Sequence, residues 1–594
     1  MAEAPKWPVS DDSPWLKSDL WPEEVPKHPE FPVKTLSELL EEAVAEAGDG
    51  PAIWFLHSWV SYNQLKRYVD SLATALHDLG IRKGDVVALV LPNCIQYTVS
   101  YYAVVRLGAV VTGINPTYKP LEVLHQLEEV NAKGLICLDS LYESMVAPIV
   151  AKHKLDFIIS TNVADLATGL SPIKKFLGKL LKKIPSGKIP GSLKFTDLIK
   201  TQPNPPKVEI DPVNDPAVYM MTGGTTGVPK AAILTHYNCV SNAIQCGWWM
   251  YDREPGMALV GVLPLFHSFA MTVVQNTAIV MRAYTILFPR PPPMNELVDT
   301  ILHVAPKGGT LFPAVEVLFI RLGQYLEQHP NPELAGMFRL CVSGAGPLHR
   351  HVKDMFEAAS GGKIVEGYGL AEASPVVSAG PLNDKDHPGK IGLAFPGTDW
   401  RIVDQEDYSK GTKAIWEGEG EPPEEGKGKY TGEIAVCGPQ VMKGYLNRPE
   451  ATAETIVEMD GRKWLLTGDI GFMDKTGQIT IRDRKKQMIK VKGYAVFPKE
   501  VEELIARHES VLEVAVAGLP DPETGELIKA WVQLKPDWVG RITEEELLAW
   551  CKENMTHYKV PKLLQIIDEI PKSMVGKVMR RTLQEADPLW QKKA

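Results

Sequence analysis

Hydrophobic and polar positions follow two different periods along the first part of the chain. Apolar residues spaced three and four apart predict helices, whereas short apolar runs predict strands. In order, the pattern predicts a helix at residues 68–79, a strand at 85–91, a helix at 94–107 and strands at 109–112, 135–138 and 156–160. Because strands alternate with helices, the sequence predicts an α/β fold in which helices flank parallel sheets.

The pattern changes from Gly432 onwards, where short strands are separated by Gly, Pro and Asp turns. This change predicts a smaller β subdomain within the same large domain. A charged run at residues 482–486 then precedes a further helical pattern. We therefore predict a large N-terminal domain at 1–483 and a small, mobile α+β C-terminal domain at 484–594, with the two lobes meeting at a cleft.

The segment at residues 257–281 contains no Lys, Arg, Asp or Glu, and it exceeds the about 20 residues that a transmembrane helix needs. Pro264, His267, Gln275 and Asn276 would each cost free energy in hydrocarbon, and the proline would interrupt helical hydrogen bonding. We therefore predict a buried strand, loop and helix here instead of a membrane span.

Residues 171–184 form a basic amphipathic pattern, with apolar residues on one helical face and five lysines on the rest. Ser171 and Pro172 suit the N-cap and first position of a helix, and Pro185 suits its end. Two interpretations remain open. The helix makes peripheral contact with an anionic membrane, or it packs its apolar stripe against the protein's own core.

Composition narrows the class of protein. With 594 residues, of which 44% are hydrophobic, the chain is a globular protein of two or more domains. Its net charge of −9 gives no general attraction for nucleic acid, so we predict no nucleic-acid partner. Seven scattered cysteines without a CxxC pair, and an N-terminus without a signal-like apolar run, predict reduced thiols in a cytoplasmic protein.

A strand pattern at residues 217–221 leads into a segment rich in glycine and threonine. Glycines let a backbone approach a ligand closely, and hydroxyl and ammonium groups hold phosphate oxygens. The Walker pattern does not match, because Pro229 precedes the lysine and Ala231 follows it. We therefore predict a phosphate loop of another kind. Its candidate residues are Thr222, Gly223, Gly224, Thr225, Thr226, Gly227 and Lys230.

Seven motifs, in order over most of the chain, resemble those of the adenylate-forming superfamily, which includes acyl-CoA synthetases, peptide-synthetase adenylation domains and beetle luciferases. They are the loop at 219–230, PLFHS at 264–268, SGAGPL at 343–348, GYGLAE at 367–372, LTGD at 466–469, the charged segment at 482–493 and the lysine loop at 571–577. One departure is Ala371, where the family usually has a threonine before the magnesium-binding glutamate.

The resemblance implies a two-step reaction that uses ATP, Mg²⁺ and coenzyme A. An organic acid first attacks the α-phosphorus of ATP to give acyl-AMP and pyrophosphate, and a thiol then takes the acyl group. The implied catalytic residues are Lys577, Thr222, Lys230, Glu372 and His267. The implied ATP and AMP site combines the loop residues with Gly344, Ala345, Gly367, Tyr368, Gly369, Glu372, Asp469, Ile481, Arg484 and Lys577.

The same resemblance implies individual roles. Glu372 carries Mg²⁺, Tyr368 stacks on adenine, and Asp469 accepts hydrogen bonds from the ribose with help from Arg484. Lys577 reaches the reacting carboxylate and α-phosphate during adenylation only.

For the second step, the resemblance implies rotation of the C-terminal domain about Lys486, with Gly493 lining the pantetheine channel. His267 would steer the acyl carboxylate or the thiol.

The acid itself is not readable from periodicity or spacing. The strings TGGTTG, PLFHSFAM and YGLAEASPVV look most like those of the long-chain fatty acyl-CoA synthetase branch, which implies a medium- or long-chain fatty acid. The alternatives are an aryl acid of the 4-coumarate type, a fatty acyl-AMP ligase and a luciferase-like oxygenase. The oligomeric state stays open, with a homodimer as one alternative.

Overall fold

A computed structural model describes residues 5–222, 229–250, 256–382, 389–418, 420–423, 427–491, 494–521, 525–555, 557–573 and 578–591. The chain divides into two compact units. Among these described residues, the first unit comprises 5–222, 229–399 and 437–465, and the second comprises 400–436 and 466–591. The division follows compactness alone, so the domain boundary after residue 483 stays a prediction.

One large sheet of the first unit contains nine strands among the described residues. In spatial order they are Leu393–Ala394, Val376–Ala379, Ile364–Gly369, Phe338–Ser343, Thr310–Ala314, Ala258–Gly261, Tyr284–Leu287, Pro51–Phe55 and Ser58–Ser61. The central pairings are parallel, and antiparallel pairings close both edges. Carboxyl ends of neighbouring parallel strands therefore meet at one edge of this sheet.

A second sheet of the first unit has eight described strands. In spatial order they are Gly444–Tyr445, Lys230–Thr235, Pro216–Thr222, Val110–Gly113, Val86–Val90, Gly134–Leu138, Phe157–Thr161 and Leu193–Lys194. Its inner strands are parallel and almost continuously apolar because helices cover both faces. The predicted α/β fold is confirmed.

The first unit also contains a set of α-helices among its described residues. They are Pro14–Lys17, Leu36–Ala47, Tyr62–Asp78, Ile95–Arg106, Pro120–Glu129, Asp139–Met145, Pro172–Leu180, Phe195–Leu198, His236–Trp249, Ser268–Ala270, Thr277–Met281, Met294–Val304, Glu316–Gln328, Arg350–Ser360 and Pro449–Thr455. The helix predicted to begin at residue 68 begins at Tyr62 instead. Ser61 caps it by accepting the Gln64 backbone N–H, a local bond that apolar periodicity does not register.

The charge-free segment at 257–281 is confirmed as a buried strand followed by short helical turns. Strand Ala258–Gly261 precedes helix Ser268–Ala270, a π-helical turn at Met271–Asn276 and helix Thr277–Met281. The Thr98 hydroxyl donates to the Gln275 amide oxygen. Within the described ranges, no helix is both long enough and apolar enough to cross a bilayer.

The second unit contains its own antiparallel sheet with one parallel edge. The strands, in spatial order, are Tyr494–Val496, Ile489–Val491, Gly525–Leu534 and Val511–Asp521, and Leu563–Ile566 pairs with the third of them in parallel. Helices Pro498–Ile505, Glu544–Asn554, Arg580–Ala586 and Pro588–Gln591 accompany it. Apolar side chains including Val501, Ile528 and Leu547 form a core inside this unit. The predicted α+β composition is confirmed.

The predicted β subdomain is also present. It contains Asp399–Val403, Gly432–Cys437, Ile456–Met459, Arg462–Met473 and Ile479–Arg484. The long strand Arg462–Met473 begins in the first unit, where it pairs with Ile456–Met459. It continues in the second unit, where it pairs antiparallel with Ile479–Arg484.

Candidate active site

Thr222 and Lys230 lie directly opposite each other on two antiparallel strands of the eight-stranded sheet. Thr222 ends strand Pro216–Thr222, and Lys230 begins strand Lys230–Thr235. The structure therefore brings the two ends of the predicted phosphate loop together. The loop residues Gly223, Gly224, Thr225, Thr226 and Gly227 lie outside the described residues.

Tyr445 links two predicted site residues that are far apart in sequence. Its hydroxyl donates a hydrogen bond to Glu372 Oε1 at 2.8 Å. The Lys230 ammonium lies 5.1 Å from the centroid of its ring, a cation–π contact. The strand Gly444–Tyr445 pairs with Lys230–Thr235, and the Met442 N–H donates to the Glu372 carbonyl oxygen. We call Lys230, Tyr445 and Glu372 the bridging triad.

Burial raises the pKa of the Tyr445 phenol, and the negative charge of Glu372 raises it further. The hydroxyl therefore stays protonated at neutral pH and remains a donor to the carboxylate. Sequence reasoning missed Tyr445, because 73 residues separate it from Glu372 and no local motif connects them.

The bridging triad suits a phosphate and a magnesium ion. Mg²⁺ is often held by one or two carboxylates together with substrate phosphates, so a single glutamate is sufficient on the protein side. No group of three or more His, Cys, Asp or Glu side chains within the described ranges could form an all-protein metal cage. Glu372 therefore fits the predicted role of Mg²⁺ ligand, and Lys230 supplies a nearby positive charge.

We expect Tyr445→Phe to raise the Mg²⁺ concentration needed for half-maximal adenylation about fivefold, the equivalent of one hydrogen bond of about 1 kcal/mol. Without the hydroxyl, the Glu372 carboxylate loses the donor that orients it. Acid-dependent exchange between ATP and pyrophosphate, measured over a Mg²⁺ series, would check this. Tyr408→Phe, at an exposed tyrosine, is the matched control. An unchanged Mg²⁺ requirement would contradict the role of Tyr445.

Gly367, Tyr368 and Gly369 end the strand Ile364–Gly369 of the nine-stranded sheet. They pair antiparallel with Val376–Ala379, with Tyr368 opposite Ser378. A Cβ atom at Gly369 would lie 2.2 Å from the Pro375 carbonyl oxygen, so a side chain does not fit there. The strand runs directly into the short turn Ala371–Ala373 that carries Glu372.

Gly344 and Ala345 follow the parallel strand Phe338–Ser343. Ala345 has φ +66°, a left-handed conformation that costs a non-glycine residue energy and is frequent at functional turns. A Cβ atom at Gly344 would lie 2.8 Å from the Phe269 ring. This turn therefore lies against the segment that carries His267.

His267 is half-buried and precedes the helix Ser268–Ala270. Its Nδ1 atom accepts the Phe269 backbone N–H at 3.3 Å, so a neutral ring carries its proton on Nε2. The structure thus brings His267 and Gly344 together through Phe269.

Asp469 and Arg484 face each other within the second unit, on antiparallel strands in direct register. Arg484 Nε lies 3.1 Å from Asp469 Oδ1, and Asp469 is buried. The Asp469 N–H donates to the Thr467 hydroxyl, and Gly468, with φ +74°, donates its N–H to Glu433. Ile481 lies opposite Gly471 on the same pair of strands.

Lys486 lies in the short turn Lys485–Gln487, between strands Ile479–Arg484 and Ile489–Val491. Nothing is described of its side chain, and Gly493 and Lys577 lie outside the described residues. The base of the predicted lysine loop is described. Lys572 and Val578 form a β-bridge, and the Met579 N–H donates to the Pro571 carbonyl oxygen.

A partly buried polar cluster inside the second unit connects the turn Lys485–Gln487 with the base of the lysine loop. Arg580 donates two hydrogen bonds to the Glu502 carboxylate, at 2.9 and 2.6 Å, and a third to Gln487. Asp483 accepts the Lys499 N–H at 2.7 Å, and burial raises its pKa to about 6. The sequence analysis missed Asp483, Glu502 and Arg580 as a group because their contacts join segments distant in sequence.

Comparison with known proteins agrees with these motifs. The AMP-binding enzyme family matches residues 40–446, and the C-terminal domain of that family matches residues 500–577. A long-chain-fatty-acid–CoA ligase of Bacillus subtilis is 38% identical over 98% of this chain and 99% of its own length. 4-Coumarate–CoA ligase 2 of rice is 33% identical over 86% of this chain and 85% of its own length.

Solved structures agree as well. The crystal structure of ATP-bound MatB from Rhodopseudomonas palustris has a TM-score of 0.75 and 26% identity, covering 93% of this chain and 99% of that one. The fold and the site residues define a nucleotide-binding enzyme of the adenylate-forming kind. The chain belongs to the AMP-binding enzyme family.

Proposed function

We propose that the protein activates a medium- or long-chain fatty acid with ATP and transfers the acyl group to coenzyme A. The products are acyl-CoA, AMP and pyrophosphate. The observation that carries the proposal is the bridging triad, because Lys230 and Glu372, one cation and one carboxylate, both contact Tyr445 near the base of the predicted phosphate loop. The 38% identity to a long-chain-fatty-acid–CoA ligase over nearly the whole chain supports the choice of acid.

In the first step, a carboxylate oxygen of the acid forms a bond to the α-phosphorus of ATP, and the bond from that phosphorus to the pyrophosphate oxygen breaks. Two anions must approach, so fixed positive charge lowers the barrier most. Lys230 and the loop hydroxyls hold the departing phosphates, and Lys577 neutralises the reacting oxygens. Mg²⁺ held by Glu372 supplies further positive charge at the phosphates.

In the second step, the sulfur of coenzyme A forms a bond to the acyl carbonyl carbon, and AMP leaves with the electron pair of the mixed anhydride. The thiol proton is released to solvent or a nearby base. We propose that the C-terminal domain turns about Lys486 between the steps and brings Gly493 to the pantetheine arm. The two hydrogen bonds between Arg580 and Glu502, both of which follow that turn in sequence, support a rigid C-terminal body.

The identity of the acid substrate is tested by measuring thioester formation with saturated fatty acids of increasing chain length. Cinnamate-type acids are measured alongside. We expect kcat/KM to rise about tenfold or more from short to medium or long chains, since each buried methylene contributes about 0.8 kcal/mol. A preference for cinnamates would contradict the fatty acid and support the second candidate substrate, an aryl acid. The 33% identity to a 4-coumarate–CoA ligase favours this second candidate.

The same assay separates the remaining alternatives. Acyl-AMP formation without thioester formation would indicate a fatty acyl-AMP ligase, and adenylate consumption that requires O₂ would indicate a luciferase-like oxygenase.

The proposal includes a cytoplasmic location, which the seven buried cysteines, none of them in a disulfide, support. It also includes peripheral membrane contact through the basic helix. A homodimer stays a prediction.

A further inference from the structure

The helix Pro172–Leu180 exposes the side of itself that a helix of a globular protein normally buries. Eleven large hydrophobic side chains are exposed within the described ranges, and five of them lie between residues 173 and 181. They are Ile173, Phe176, Leu177, Leu180 and Leu181, exposed by 71%, 67%, 45%, 67% and 63%. We call this set the apolar stripe. The interpretation that the stripe packs on the protein's own core is contradicted.

A second amphipathic helix of the first unit buries its apolar residues, as helices of globular proteins usually do. Arg350–Ser360 buries Val352 and Phe356, whereas Pro172–Leu180 buries none of its residues. Exposed apolar stripes of this kind mark contact with a partner or a membrane. The difference therefore lies in how the chain presents the helix, not in its sequence pattern.

The side of the helix away from the apolar stripe faces neighbouring segments of the chain. A Cβ atom at Gly178 would lie 2.6 Å from the Ile184 side chain, so the following segment passes close to that side. Lys175 Nζ donates to the Asp165 carbonyl oxygen, and the Asn162 amide donates to the Pro185 carbonyl oxygen at 2.8 Å. The helix is thus attached at both ends with the apolar stripe turned to solvent.

The ends of the helix are closed by its own residues. The Ser171 hydroxyl accepts the Lys174 N–H at 3.2 Å. Lys182 has φ +55° and reverses the chain, so that the Ile184 N–H donates to the Gly178 carbonyl oxygen at 2.9 Å. All of these bonds lie within the chain. The apolar stripe is therefore exposed before the protein meets a partner.

The charge of the residues around the helix indicates what kind of surface the apolar stripe contacts. Between Asp165 and Asp197 the sequence contains seven lysines and no acidic residue, although the whole chain has a net charge of −9. Lys174, Lys179, Lys182 and Lys183 are exposed on or beside the helix, whereas Lys175 is bonded to Asp165. A second copy would bring two lysine-rich faces together, and like charges repel. An anionic lipid surface offers phosphates for the lysines and an acyl boundary for the stripe.

We propose that the helix Pro172–Leu180 docks the protein on anionic membranes, with the apolar stripe inserted below the headgroups and the flanking lysines against lipid phosphates. The inference rests on the membrane contact included in the proposed function and specifies its residues and its lipid class. Its test does not depend on the acid that the enzyme activates, so failure of one leaves the other standing.

The test is sedimentation of the full-length protein with vesicles of phosphatidylcholine alone and with added phosphatidylglycerol. We expect binding to the anionic vesicles that weakens as salt rises. The variant Phe176→Ser/Leu180→Ser should weaken binding about tenfold or more, since two large apolar groups no longer leave water. The matched control is Leu512→Ser/Val539→Ser, at two hydrophobic side chains exposed elsewhere by 51% and 68%. It should bind like the wild type.

A second measurement reports insertion directly. All seven native cysteines are buried, so a thiol introduced by Phe176→Cys can be labelled selectively with an environment-sensitive dye. A blue shift with anionic vesicles is expected. Absence of that shift, or sedimentation equal in wild type and stripe variant, would overturn the proposal. So would self-association that the stripe variant abolishes without any vesicle binding, because the stripe would then be an interface between copies.

Discussion

Replacing Lys577 with alanine is expected to abolish formation of acyl-AMP while leaving thioester formation from supplied acyl-AMP near the wild-type rate. In the proposed function, the lysine charge is needed only where two anions meet, at the carboxylate and the α-phosphate. Loss of one such positioned donor typically lowers the rate about 100- to 1000-fold. The second step joins a thiol to a carbonyl carbon and, in the proposed function, uses a different arrangement of the C-terminal domain.

The described residues around the lysine loop support this expectation. The β-bridge between Lys572 and Val578 closes the base of the loop, and Arg580 fastens the chain beyond it to Glu502. A charged group on a short loop held at its base is well placed for positioned electrostatic stabilisation.

Two assays are compared for Lys577→Ala. ATP/pyrophosphate exchange reports the first step, and acyl-CoA formation from synthetic acyl-AMP reports the second. Lys552→Ala, at an exposed lysine of helix Glu544–Asn554, is the control and should change neither. Equal loss in both assays would remove the case for domain alternation.

The second large effect is expected at Asp469. Asp469→Ala should lower kcat/KM for ATP about 100-fold, because a carboxylate accepting two ribose hydroxyls makes two charge-assisted hydrogen bonds of about 1.5–3 kcal/mol each. Unlike Lys577, this residue should matter in both steps, since ATP and acyl-AMP carry the same ribose. Thioester formation from supplied acyl-AMP should therefore also weaken, through a higher KM.

The control for Asp469→Ala is the variant Asp399→Ala. Asp399 is likewise buried, and an Arg462 guanidinium nitrogen lies 2.6 Å from its carboxylate. Both variants lose an ion pair between a buried carboxylate and a partly exposed arginine, so both should lower the melting temperature by a similar amount. Only Asp469→Ala should raise KM for ATP. A comparable change in KM in both variants would show that Asp469 acts through stability and not through the nucleotide.

The sequence analysis was most successful where chemistry is local. Alternating apolar periods predicted the α/β fold, because each strand and helix carries its own pattern. Thr222 and Lys230 were predicted together because they belong to one short segment rich in glycine and threonine, and the structure places them opposite each other. Local hydrogen bonds were harder to predict. The helix that was predicted to begin at residue 68 begins at Tyr62, for example.

Contacts between distant segments were not predictable. Tyr445 meets Glu372 and Lys230 only because a two-residue strand adds to the edge of the eight-stranded sheet. Arg580 meets Glu502 and Gln487 across more than one element of the C-terminal unit. No periodicity encodes such pairs, since side chains that touch across a fold leave no regular spacing.

By itself, the sequence determined the fold class, the order of the motifs and the residue types that handle phosphate, because these depend on neighbours along the chain. Only the tertiary structure decided which side of the basic helix faces water. The pattern of residues 171–184 is the same whether its stripe is buried or exposed, and the attachments at Asp165 and Asn162 turn it outward. Burial depends on what the rest of the chain places against a surface.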